Sequence, residues 1–162
     1  MSLVYVISDT HFGHENMAIH RGFKNSEKQD NLIIDNWNKT VKKKDVVLLL
    51  GDITMESPKF YHYLAKLNGL KRVILGNHDM PQDVPKLLPY VHSVCGMYKR
   101  EGCIFTHAPI HPDELRRFKK NINGHVHEAT VKSHFGFTDE RYVNVCCEVI
   151  NYTPVLLSEC LQ

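Results

Sequence analysis

Val46-Val47-Leu48-Leu49-Leu50-Gly51-Asp52 is an uninterrupted aliphatic run that stops on a glycine and a carboxylate. A run with no polar alternation suits a strand buried on both faces, as in a sheet covered by helices. The stop matters as much as the run, because ligands in open α/β sheets gather in loops beyond the carboxyl ends of strands. The same construction recurs along the chain. Leu3 to Ile7 leads into Asp9-Thr10-His11, Arg72 to Leu75 into Gly76-Asn77-His78-Asp79, Ile104 to Thr106 into His107, and Ile122-Asn123 into Gly124-His125-Val126-His127. Side chains far apart in sequence are therefore predicted to meet at one sheet edge. Gly51, Gly76 and Gly124 are predicted to let the backbone turn sharply as the strands end.

Between these strands the pattern is helical. Ser26 and Gln29 form a capping-box signature, and Ile33, Trp37 and Val41 recur at helical spacing. A second helix is predicted from Ser57-Pro58, with Phe60, Leu64 and Leu67 on one face and a stop at Asn68-Gly69. A short third helix is expected over Asp113 to Lys120. The tail offers strands near Tyr142 to Cys147 and Val155 to Leu157, whose pairing the sequence leaves open. The class is α/β, with strand, helix, strand, helix, strand in the first half.

The 162 residues fit one domain, 1–162, and no repeat, low-complexity tract or long linker divides them. With 43% apolar and 23% charged residues the composition excludes disorder, and a net charge of +2 does not by itself argue for nucleic acid. Cys95, Cys103, Cys146, Cys147 and Cys160 are odd in number and lack CxxC spacing. They read as reduced core thiols of a cytoplasmic protein. The apolar start is too short for a signal peptide or a membrane span.

The polar clusters supply imidazole, carboxylate and amide oxygen but no thiolate, which favours borderline and hard divalent metals over a structural zinc site. Taken singly, each has a plainer reading. A lone histidine is usually a surface or satisfied core residue, Asp9 or Asp52 could cap a helix, and Gly76-Asn77 could be a simple turn. Taken together they are enough for two adjacent ions. Two cations about 3.5–4 Å apart can hold a bridging hydroxide as nucleophile at neutral pH and clamp the oxygens of an in-line phosphoryl displacement. A carboxylate such as Asp52 can span both ions because it has two oxygens. Neutral imidazoles and the Asn77 carbonyl keep the total charge positive toward an anionic phosphate.

The order DxH, GD, GNHD, H, GHxH across residues 9 to 127 resembles the calcineurin-like metallophosphoesterase superfamily. Residues 128 to 162 match no motif of it. The resemblance implies a β-sandwich flanked by helices in four αββα layers, with the site at the carboxyl ends of the strands. It implies one metal on Asp9, His11 and His127, another on Asn77, His107 and His125, and Asp52 bridging them. His78 would face the substrate phosphate, with Asp79 holding its imidazole. Manganese is the first expectation for both ions; iron, zinc, nickel and magnesium are compatible.

His14 and Asn16 follow His11 closely enough to contact phosphate. Arg21 offers a guanidinium fork, and His111 follows His107-Ala108-Pro109; otherwise both are solvated loop residues. Lys42-Lys43-Lys44, Lys71-Arg72 and Arg116-Arg117-Phe118-Lys119-Lys120 read as solvated faces, although the last could hold a polyanionic or nucleotide substrate if it lay beside the metal edge. The function implied is hydrolysis of phosphomonoesters or phosphodiesters. A member of the fold that binds metal without catalysis is the alternative, and such a protein would be expected to lack a ligand or His78. With no room for large caps, specificity is expected from Phe12 to Asp45 and from Met80 to Cys103, around an open cleft.

Overall fold

The structure is a computed structural model that describes residues 2–162. In chain order its regular elements are β1 (Val4–Ile7), α1 (Glu15–His20), α2 (Ser26–Thr40), β2 (Val46–Leu49), β3 (Leu70–Ile74), α3 (Val84–Leu87), β4 (Ser93–Cys95), β5 (Tyr98–Arg100), β6 (Cys103–Thr106), β7 (Asn121–Asn123), β8 (Tyr142–Asn144), β9 (Val155–Leu156) and α4 (Leu157–Cys160). Two longer 3-10 segments, Pro58–Lys66 and Pro112–Arg117, stand where the second and third helices are predicted.

The strands form two sheets, ordered β4-β3-β2-β1-β9 and β5-β6-β7-β8. β1 to β4 are parallel, and so are β6 to β8; β9 and β5 are the antiparallel edge strands. Side chains alternate across the pleat. Val6, Leu48, Leu50 and Ile74 of the first sheet pack against Cys103, Phe105, Ile122 and Val145 of the second. Their neighbours Tyr5, Ile7, Val47, Leu49 and Val73 pack on Ile33 and Trp37 of α2 and on Leu64. The uninterrupted Val46–Leu50 run is thus a central strand with helices on one face and a second sheet on the other. Burying such side chains contributes about 1.5–3 kcal/mol each.

The expected sandwich flanked by helices is present. Its outer layer on the second sheet is thin: Ile104 lines a surface cavity there with Glu114 and Arg117 of the Pro112–Arg117 segment and with Phe118 just beyond it. α2 begins one residue away from the predicted capping box. Asn25 is the N-cap, accepting the Lys28 N–H at 3.0 Å. Gln29 is instead buried, donating to the carbonyls of Thr10 and His11. The basic pair Lys71-Arg72 is not a solvated face at Lys71, whose buried ammonium donates to the carbonyls of Leu67 and Gly69. Strand β4, strand β5 and α1 are not foreseen from sequence; they are short and lack a clear apolar period. All five cysteines are free, and among the described residues no helix is long and apolar enough to cross a membrane.

Candidate metal centre and active site

Parallel strands align their carboxyl ends, so Asp9, Asp52, Asn77, His107 and His125, each just beyond β1, β2, β3, β6 and β7, lie along one edge. The two sheets are joined there. Ser8 donates to Val145 O at 2.9 Å, Cys147 N–H returns to Ser8 O at 3.1 Å, and His125 N–H reaches the Asp9 carboxylate at 2.9 Å. Five of the seven predicted metal ligands adopt left-handed backbone: Asp9 (φ 58), His11 (45), Asp52 (49), His125 (70) and His127 (49). Such conformations cost non-glycine residues about 1–3 kcal/mol each and persist only where the surroundings impose them.

The side chains form two groups. Ligand atoms of Asp9, His11 and His127 lie within 4.8 Å of one another, as do those of Asp52, His107 and His125. Asn77 Oδ1 joins the second group, 2.9 Å from His107 Nε2. Asp52 Oδ2 lies between them, 3.4 Å from His107 Nε2 and 3.9 Å from His11 Nε2. The carboxylate does not span the gap with both oxygens as its two-oxygen chemistry suggests. Oδ1 is occupied by the His78 backbone N–H at 2.9 Å, so one oxygen serves both groups.

Whether divalent cations fit can be judged from the lone pairs. His107 Nδ1 donates to Leu50 O at 2.7 Å, which turns Nε2 toward Asn77 Oδ1 and toward His125 Nδ1 at 3.1 Å. Ring nitrogens and an amide oxygen converging at this range present lone pairs that a divalent cation would fit. In the other group Asp9 Oδ1 and both ring nitrogens of His11 are buried without a hydrogen-bond partner. Burial, followed by the nearby Arg21 charge, lowers the His11 pKa to about 3, so its imidazole is neutral and available as a ligand. The residues present fit two divalent ions.

Burial pushes the Asp52 carboxyl up, but the hydrogen bond and charge of His107, with the His78 N–H, bring it below its ordinary value. His107 is correspondingly raised: burial lowers it, and Asp52 more than compensates. Of the three glycines predicted to ease the turns, Gly51 is left-handed at φ +84, whereas Gly76 and Gly124 are not. At Gly76 a β-carbon would meet the Asp52 carboxylate, and at Gly124 it would meet Ser8 and Asp9. Glycine at these two positions leaves room for the neighbouring carboxylates, and Gly76 also opens the turn that brings the Asp79 N–H to its carbonyl at 3.3 Å.

Asp79 requires a correction. The sequence assigns it to the His78 imidazole, but its buried carboxylate accepts three backbone N–H groups instead, from Asp52 at 2.8 Å, Gly76 at 2.9 Å and Ile53 at 3.1 Å. It ties the two ligand loops together. The partner of the His78 ring is Glu56, 3.3 Å from Nδ1. The His78 ring stands 6.0 Å from that of His11 and the His14 ring 5.9 Å, so both border the first group. Asn16 is exposed on the first turn of α1. Arg21, offered as a phosphate fork, is turned inward with its side chain 0% exposed. It donates to Asp9 O, Thr10 O, Gln29 and Glu148. His111 is exposed and caps the Pro112–Arg117 segment, accepting the Asp113 N–H at 3.3 Å.

Glu148 is absent from the sequence reading. One of its oxygens receives both Arg21 Nε, at 2.7 Å, and His127 Nδ1, at 2.9 Å. Although burial opposes ionisation, these donors hold its carboxyl at about 2, while its hydrogen bond raises His127. The available signal was a single charge inside the otherwise apolar Val145-Cys146-Cys147-Glu148-Val149-Ile150.

Five parallel strands, β1, β2, β3, β6 and β7, thus deliver His, Asp and Asn to one edge of the sandwich, a donor set suited to divalent metal ions. The family model of the calcineurin-like phosphoesterase superfamily domain matches residues 1–146, and this chain belongs to that family. It is 35% identical over 164 residues to an uncharacterised protein of Methanocaldococcus jannaschii, covering 97% of this chain and 88% of that protein. It is 37% identical over 95 residues to the gene 66 protein of Mycobacterium phage D29, covering 54% of this chain and 47% of that one. The crystal structure of a protein of unknown function from Aquifex aeolicus superposes with a TM-score of 0.75 at 23% identity, over 98% of this chain and 97% of its own, which establishes the shared fold.

Proposed function

We propose that this chain hydrolyses phosphomonoesters or phosphodiesters at a binuclear centre, with one divalent cation held by Asp9, His11 and His127, the other by Asn77, His107 and His125, and Asp52 shared. The observation that carries the reading is the position of Asp52 Oδ2, within 3.9 Å of a histidine nitrogen from each group. Two divalent cations there supply Lewis acidity toward the phosphoryl oxygens and make hydroxide available as nucleophile near neutral pH.

The remaining work falls to side chains. His78 is held by its backbone N–H on Asp52, while its ring, 26% exposed, remains open to a substrate from outside. With Nδ1 directed at Glu56, the ring is oriented to protonate the departing oxygen or to stabilise its charge. His14 adds a second imidazole beside the phosphate position. Exposed His125 and Glu56 leave the edge open, which suits a small or protruding phosphoester, nucleotides included. Manganese is the first metal to test, and the imidazole, carboxylate and amide-oxygen donors are equally compatible with iron, zinc, nickel or magnesium.

The test is a screen of Mn²⁺-reconstituted protein on an aryl phosphate, its diester, and mono-, di- and cyclic nucleotides, beside the Asp52→Ala and His78→Ala variants. Turnover lost in both variants is the expected result. A fully metallated protein inert on every ester would reduce the chain to a metal-binding scaffold.

A further inference from the structure

We infer that Glu148 is the positioning residue of His127, setting that imidazole with Nε2 toward Asp9 and His11. The inference rests on the binuclear reading above and assigns a role two residues beyond the family match, which ends at 146.

His127 needs such a partner. His11 is enclosed on all sides, with a side chain 2% exposed, whereas the His127 side chain is 35% exposed, so packing alone does not fix its ring. Its backbone is clamped by Asn144, whose side-chain N–H donates to His127 O at 2.5 Å. The ring itself is oriented by Glu148 Oε1 on Nδ1 at 2.9 Å. A carboxylate only accepts, so Nδ1 carries the proton and the lone pair resides on Nε2. An outer carboxylate that fixes the tautomer also makes the imidazole a stronger ligand.

Glu148 is in turn anchored to the far end of the sequence. Arg21 donates from Nε to the same Oε1 at 2.7 Å and from its terminal nitrogen to Asp9 O at 2.7 Å. One buried guanidinium thus ties the carboxylate that orients His127 to the loop carrying Asp9. Two ligands 118 positions apart in sequence, 127 less 9, are held in register by this pair.

The experiment is calorimetric titration of metal-free full-length protein with Mn²⁺ alone. The wild type is expected to take up two ions; uptake of fewer sinks the binuclear reading itself, independently of Glu148. In Glu148→Ala, which removes the acceptor of the His127 Nδ1–H, one binding step should weaken by about 10–100-fold while the other is unchanged. Equal weakening of both steps, or of neither, overturns the positioning role. Because Glu148→Ala leaves the Arg21 charge without its partner, Arg21→Met and the double variant Arg21→Met with Glu148→Ala are titrated as well. The ratio of their weaker-step affinities isolates Glu148: the same loss supports the assignment, and a ratio of one contradicts it.

Discussion

Asp52 Oδ1 accepts the backbone N–H of His78 at 2.9 Å, which leaves Oδ2 as the oxygen turned toward both histidine groups. The proposed bridge and the proposed acid are therefore joined by one hydrogen bond. Asp52→Asn separates the two roles, because an amide oxygen can keep the His78 N–H while an NH2 replaces Oδ2. We expect a folded variant with near-native melting temperature whose metal content and turnover fall by more than about 100-fold, beyond the loss of an outer partner. Elemental analysis beside kinetics checks this, and retained metal with full turnover would remove Asp52 from the centre.

His78→Ala leaves the ligand set intact. Both metal equivalents should remain while kcat falls about 10²–10⁴-fold, the range for loss of a general acid. Glu56→Gln should produce a smaller fall, since its contact at 3.3 Å lies on an exposed pair. An equal loss in the two variants would argue that Glu56 does more than orient the ring.

Asp79→Asn can keep one oxygen for the Asp52 and Gly76 N–H groups, which share Oδ2, but turns an NH2 toward the Ile53 N–H. Each unsatisfied buried donor costs about 1–3 kcal/mol. At this chain length each kcal/mol is about 2–4 °C of melting temperature. The expected outcome is a drop of several degrees together with lower activity, because the Ile53 N–H loses its acceptor and the tie between the loop carrying Asp52 and the loop carrying Gly76 is weakened. Normal stability with lost activity would return Asp79 to a direct role at His78.

Metal should stabilise the fold, since the groups assembled from residues 9 to 127 exist only in the native state. Free Mn²⁺ at one hundred times its dissociation constant contributes about 2.7 kcal/mol per site. Chelator treatment should lower the melting temperature by several degrees and silence turnover, with Mn²⁺ restoring both. A melting curve indifferent to Mn²⁺ would weigh against any resident cation.

Asp30 makes stability depend on pH. Burial raises its carboxyl to about 6 despite the Gly13 N–H that it accepts at 2.9 Å. The folded state then binds more protons than the unfolded one between about 4 and that value, so this group's contribution is present at low pH and lost as pH rises through about 6. Asp30→Asn, which keeps an oxygen for Gly13, should be more stable than wild type at pH 8 and lose that advantage at pH 4. Parallel denaturant curves at the two pH values measure it; a constant difference between them excludes Asp30 as the source.

Most of the grouping of the candidate ligands was legible because the parallel sheet converts sequence pattern into position. An apolar run predicts a strand, its polar terminus predicts the edge, and Asp9, Asp52, Asn77, His107 and His125 all follow that rule. Side chains that act across loops were not legible. Asp79 and Gln29 carry local signals, a neighbouring histidine and a capping box, that suggest nearby partners, yet both spend their hydrogen bonds on backbone groups distant in sequence. Arg21 looked like a surface fork because its burial depends on Glu148, 127 residues away.

The amino-acid order alone determined which residues reach the edge and what chemistry they can support, since strand polarity and donor type are properties of the local chain. Tertiary structure alone decided how the carboxylates are used: Asp52 through a single oxygen, Asp79 as a tie between loops, and Glu148 as the partner of His127. The physical reason is that a carboxylate accepts whichever N–H groups folding brings within about 3 Å. Those donors come from segments whose separation is settled only when the two sheets pack.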